Sequence, residues 1–149
     1  MSWLRAVGFA VIPVLAIGAY GCGGSSSSSN TSPTTPSAPT YTDVFTGTLA
    51  AGATDYGSNN QNHFTIHQVG SLTATITKLS PLSTITVGLG LGVYDTSTQT
   101  CSLQLFADAA KLNIALSATV QATGELCVGL YDVGNITDST DYEVSITHT

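Results

Sequence analysis

From residue 41 onward the chain alternates apolar and polar positions with a period of two. No stretch sustains the 3.6-residue period of an amphipathic helix. In residues 63–69, Phe64 and Ile66 fall on one face and Thr65 and His67 on the other. Residues 71–79 set Leu72, Ala74 and Ile76 against Thr73, Thr75 and Thr77. Residues 85–94 set Ile85, Val87, Leu89, Leu91 and Val93 against Thr86, Gly88, Gly90 and Gly92. Leu126, Val128 and Leu130 share one side of residues 125–132, and Tyr142, Val144 and Ile146 share one side of residues 141–147. Residues 43–49 and 102–107 are weaker strand candidates, and residues 112–120 read as a strand or a short helix.

The pattern predicts seven or eight short strands, separated by turn-rich segments at residues 51–62 and 95–100. Strands with one buried face assemble as an antiparallel β-sandwich, here expected to be jelly-roll-like. Gly88, Gly90 and Gly92 lie on one face of one strand and leave it without side chains. Either a neighbouring segment packs closely there, which is the expected case, or a ligand does.

The first 40 residues follow different rules. Arg5 precedes a 14-residue apolar run, residues 6–19, that Pro13 interrupts. The run is shorter than the roughly 20 residues a membrane-spanning helix needs, and reads as a signal peptide, residues 1–21. Ala19, Tyr20, Gly21 and Cys22 resemble the lipobox of bacterial lipoproteins, although most lipoboxes carry Leu or Val where Ala19 stands. The resemblance implies a lipid on Cys22, and the outer membrane if the host has two. Ordinary cleavage would cut the same bond and leave a free N-terminal cysteine. The Ser/Thr/Pro-rich linker, residues 22–40, favours lipidation, because a flexible coil is useful as a spacer from a membrane. The folded domain is then residues 41–149.

Charge removes several function classes. The chain holds three Lys and Arg against nine Asp and Glu, and Arg5 falls in the leader. Lys78 and Lys111 alone cannot neutralise enough phosphates to bind nucleic acid, nor form a polybasic membrane patch.

Several segments together resemble the bacterial pre-peptidase C-terminal domain, a secreted β-sandwich. They are Phe45-Thr46-Gly47-Thr48-Leu49, His63-Phe64-Thr65-Ile66, residues 70–76, the Val-Gly-Leu-Gly-Leu-Gly-Val-Tyr-Asp strand, residues 124–128 and residues 142–146. The resemblance spans residues 43–147 and implies an accessory module of an exported enzyme. The family often carries acidic residues before the Phe64 position, where this chain has Gln61, Asn62 and His63.

Candidate chemistry is sparse. His63 and His67 form an H-x-x-x-H string, which on a strand places the rings about 13 Å apart, too far for one ion. Asp95, Asp132, Asp138 and Asp141 stand at predicted strand ends and are the candidates for a calcium site, although aspartate is also a common turn former. No G-x-S-x-G motif occurs. His67 or His148 could complete a triad assembled from distant segments, and Glu125 and Glu143 sit at outward strand positions. Tyr41, Tyr56, Tyr94 and Tyr131 are the candidates for a flat binding face, with Tyr56, Tyr94 and Tyr131 the strongest. The other reading is that Tyr94 and Tyr131 pack at the ends of their strands. With Cys22 consumed by lipid, Cys101 and Cys127 remain to pair in an oxidising compartment, on the outer face of their sheet. Adjacent antiparallel strands would bring them together, with Cys101 in a loop position, out of the core phase of Leu103 and Leu105. Two unpaired thiols are the alternative.

The expected function is a non-catalytic, lipid-anchored cell-envelope module without cofactor. It would bind protein or glycan weakly, or act structurally. The alternative is an accessory domain acting in trans with an exported peptidase or glycosidase.

Overall fold

The computed structural model describes residues 37–149; the leader, Cys22 and the linker through residue 36 lie outside the described residues. Nine strands follow in order: β1 (Tyr41–Leu49), β2 (Thr54–Asp55), β3 (His63–Ile66), β4 (Gly70–Ser80), β5 (Val87–Asp95), β6 (Thr100–Ala110), β7 (Ala115–Val120), β8 (Gly124–Tyr131) and β9 (Thr140–His148). Within the segment 112–120, which reads as a strand or a short helix, residues 115–120 form a strand and residues 112–114 a turn leading into it. The turn-rich segment at 51–62 holds the two-residue β2, too short to show any periodicity.

The strands form two antiparallel sheets. The first has the order β1-β9-β4-β7. The second has the order β2-β8-β5-β6, with β3 also paired to β8. β2 and β3 occupy successive stretches of one edge of β8. Counted as one interrupted strand, they leave eight positions in the double Greek-key arrangement of a jelly roll.

Alternation explains the core. Leu72, Ala74 and Ile76 of β4 face inward beside Tyr142, Val144 and Ile146 of β9. Val87, Leu89 and Leu91 of β5 and Val128 and Leu130 of β8 close on them from the second sheet. A bulge between Ile76 and Lys78 adds one residue to β4, which turns Leu79 inward again.

β6 departs from the expected phase. Its pairing with β5 shifts between Leu103, opposite Gly92, and Leu105, opposite Leu91. The extra residue, Gln104, inverts the strand. Cys101 and Leu103 therefore point outward, into a cluster with Tyr94, Cys127 and Tyr56, while Ala107 packs against the core. Cys101 lies inside β6 rather than in a loop, and Leu103 shares its outward face.

Candidate functional site

The outer face of the second sheet gathers most of the side chains the sequence singled out. Cys101 and Cys127 form a disulfide on this face, with Cα atoms 5.9 Å apart and a sequence separation of 26. Their strands are not adjacent, contrary to expectation: β6 and β8 both pair with β5 and lie on either side of it. Two strands flanking a third are normally separated by about 9–10 Å. The gap closes because β6 folds over β5 at Gly92, where a Cβ would run into the Ser102 carbonyl and the backbone of Leu103.

The glycine track is covered by neighbouring groups. Ring atoms of Tyr131 lie against Gly88, and the side chain of Leu103 lies against Gly90. Tyr56 rests on Gly129 of β8, where a Cβ would meet its own Cβ at 2.5 Å. Absent side chains thus let aromatic rings lie down on the sheet.

Of the three tyrosines expected to form a binding face, Tyr94 does not take part. It is 8% exposed, packed against Cys101 and Cys127. The His63 imidazole covers it face to face, with centroids 4.1 Å apart and planes 4° apart. Tyr56 and Tyr131 do meet, edge to face, at 5.9 Å and 77°. They are joined by Phe106, which the sequence reading did not single out. Its ring stands at 73° to Tyr131, 6.4 Å away, and is 51% exposed. The Tyr131 hydroxyl donates a short hydrogen bond to the Asp108 carboxylate. Partial burial, then this bond and the Asp108 charge, push the Tyr131 phenol up to about 12. The result is a floor of Tyr131, with Tyr56 and Phe106 angled to it and the exposed carboxylate of Asp108 beside it.

The histidines are separated. His63 places Nδ1 3.5 Å from Glu125 Oε2, on the disulfide face. His67, beyond the end of β3, lies against Tyr41 at 4.9 Å. His148, 2% exposed, packs among Tyr41 and Phe64, and Phe64 meets Phe45 at 6.2 Å. This aromatic row closes the seam between the edge strands β1 and β3. Tyr41 therefore belongs to the seam rather than to the face of Tyr56 and Tyr131. The Nε2 of His148 is 3.0 Å from Asp43 Oδ2, and Nδ1 is 3.4 Å from the Thr149 carbonyl. Both ring nitrogens are engaged, so the imidazole presents no free nitrogen to a nucleophile.

The aspartates act as turn formers. Asp132 Oδ2 accepts the N–H of Gly52 at 2.7 Å, and Oδ1 accepts those of Gly134, Asn135 and Ile136 at 2.8, 3.0 and 3.2 Å. These N–H donors, Gly52 foremost, hold its carboxyl below the usual carboxylate range. Asp95 accepts from the Ser97 hydroxyl at 2.6 Å and from the N–H groups of Ser97 and Thr98, which lower it likewise. Asp141 accepts the Thr48 hydroxyl at 2.7 Å, and Asp138 lines a small hollow beside Pro81 and Ile136. Among the described residues, no three His, Cys, Asp or Glu side chains meet in a group able to hold a metal ion. Glu125 and Glu143 each accept a threonine hydroxyl at 2.6 Å, from Thr65 and Thr77.

The loop between β2 and β3 is tied down by its own buried asparagines, Asn60 and Asn62. The Asn62 amide donates to the Tyr142 hydroxyl and to the Asp55 carboxylate, each at 3.1 Å, and the Asn62 N–H bonds Asn60 Oδ1 at 3.0 Å. These bonds, with the Asn60 amide donating to the Asp55 carbonyl at 3.2 Å, satisfy the two buried asparagines of the segment that follows Tyr56. On the opposite seam, an apolar groove of about 200 Å³ opens between β6 and β7, lined by Leu91, Val93, Leu105 and Val120 among others.

No protein-family model matches the chain, and no curated protein matches it. Solved structures do. A chain from the disulfide-linked pili that form Bacillus endospore appendages is similar at 13% identity, over 74% of this chain and 88% of that one, with a TM-score of 0.32. The SPBc2 prophage-derived protein YomS is similar at 10% identity, over 76% of this chain and all of its own, with a TM-score of 0.36.

Proposed function

We propose that this chain is an exported, non-catalytic module of the cell envelope, anchored by lipid on Cys22. It recognises its target with the outer face of the second sheet. The observation that carries the reading is the group of Tyr56 and Tyr131, each lying against a glycine, with the half-exposed Phe106 beside them on the face that holds the disulfide. Aromatic rings with few rotatable bonds lose little entropy on contact and dominate recognition surfaces. The disulfide supports export, because such bonds persist in oxidising compartments. The second reading, an accessory domain acting in trans with an exported peptidase or glycosidase, rests on the sequence resemblance to the pre-peptidase C-terminal domain alone.

Two measurements test the reading. Cys22→Ser should move the chain out of the membrane fraction or leave it unprocessed; unchanged fractionation overturns the anchor. The purified chain should be retained on isolated cell-envelope material, and Phe106→Ala should reduce retention several-fold at unchanged melting temperature. Equal retention of the two overturns the recognition face.

A further inference from the structure

We infer that the Tyr56–Phe106–Tyr131 face binds a neutral glycan, with Asp108 accepting its hydroxyls; the inference rests on the recognition face proposed above. Three features converge on this ligand class. First, Tyr131 lies on Gly88 as a floor, and Tyr56 and Phe106 stand at 77° and 73° to it, one from the segment after β2 and the other from β6. A pyranose presents axial C–H groups to a flat ring and its rim to upright ones, so such a corner suits a sugar unit better than an extended peptide. One edge of the second sheet is already taken by β2 and β3 along β8, and the other, β6, is interrupted by two register shifts along its pairing with β5, which makes it a poor template for an added peptide strand.

Second, the polar group at the corner is an acceptor. Asp108 Oδ1 takes the Tyr131 hydroxyl, which fixes the carboxylate in place, and Asp108 is exposed. A carboxylate accepts hydrogen bonds from vicinal hydroxyls, and charge-assisted bonds of this kind are stronger than neutral ones. The hydroxyl of Tyr131 is committed to Asp108, so the ring offers its face rather than its polar tip.

Third, the charge is wrong for acidic glycans. The domain carries nine carboxylates against Lys78 and Lys111, and neither lysine lies on the strands that build this face. Lys111 stands just past the end of β6, so an acidic polymer would meet Asp108 and a domain whose carboxylates far outnumber its two lysines. The ligand class is therefore an uncharged polysaccharide.

The test uses the full processed chain in affinity electrophoresis through gels holding a soluble neutral β-glucan, a neutral mannan, a soluble N-acetylglucosamine polymer or polygalacturonate. Retardation is expected in at least one neutral gel and not in polygalacturonate. Phe106→Ala and Asp108→Asn should each weaken it by about ten-fold, while Ile114→Ala, an exposed apolar residue off this face, should leave it unchanged. Circular dichroism and melting temperature confirm that each variant is folded. Retardation by none of the neutral polymers, or equal retardation of wild type, Phe106→Ala and Asp108→Asn, overturns the glycan assignment.

A second arm separates this failure from failure of the recognition face. On isolated envelope material, periodate oxidation of vicinal diols should abolish retention, and protease treatment should leave it intact. Loss after protease alone, still sensitive to Phe106→Ala, overturns the glycan and leaves the recognition face standing.

Discussion

The carbonyl of Ser102 stands where a side chain on Gly92 would be. Gly92 is thus the position at which β6 crosses over β5 and delivers Cys101 to Cys127. The disulfide, the buried Tyr94 and the stacked His63 all depend on that approach. Adding one methyl group at residue 92 should force β6 away, because the obstructing atoms belong to backbone held in a sheet. Gly92→Ala is expected to destabilise the domain by about 1–3 kcal/mol and to leave free thiols at Cys101 and Cys127. Urea unfolding, and mass spectrometry of the unreduced, alkylated chain, check both. Removing the bond directly, with both cysteines changed to alanine, should cost about 3–4 kcal/mol for a loop of this size. A Gly92→Ala variant with wild-type stability and a complete disulfide would show that β6 has room to spare.

Asp132 makes the domain sensitive to acid. Its folded-state affinity for protons is lowered by the N–H groups of Gly52, Ile136, Gly134 and Asn135. The unfolded chain therefore binds the proton more readily. The stability this contributes is present above the ordinary aspartate value of 3.8 and is lost as pH falls through the lower folded-state value. Melting temperature should fall on acidification below that range, and Asp132→Asn should flatten the fall while lowering stability at neutral pH. An unchanged acid limb in the variant would mean that Asp132 is not the group responsible.

How far the sequence reveals this arrangement depends on the strand. β4 and β9 are plain, because one face is core and the other is solvent, and the bulge of β4 breaks period two only after Ile76, near the end of the strand. β6 is not, because Gln104 inverts its phase and nothing in Leu103-Gln104-Leu105 marks a bulge. Bulges of this kind are common at sheet edges, where pairing on one side only lets a strand deform. The burial of Tyr94 depends on His63, which reaches it through the pairing of β3 with β8, a long-range contact without a local signal. Tyr56 and Tyr131 are legible as surface aromatics. Phe106 was legible too, since it lies out of phase with Leu105 and Ala107, but Asp108 acquires its meaning only through the hydroxyl of Tyr131.

That contact gives an alkaline signature. The Tyr131 phenol is raised to about 12, by partial burial first and by Asp108 second. A raised phenol binds its proton more tightly in the folded state, so its contribution to stability is present below pH about 10 and is lost as pH climbs towards 12. Tyrosine ring carbons followed by NMR should show one phenol titrating well above the others. Asp108→Asn should bring that titration down towards the ordinary value. If it stays in place, the hydrogen bond contributes little and burial alone holds the phenol.

On the proposed function, the outer face of the second sheet is the surface that meets the target. Chemical-shift mapping on the isotope-labelled chain, titrated with solubilised envelope fragments, locates the contact residue by residue. Shifts are expected to concentrate at Tyr56, Phe106, Asp108 and Tyr131, with the seam of Tyr41, His67 and His148 unmoved. Shifts concentrated instead along the groove of Leu91, Val93, Leu105 and Val120 would contradict it.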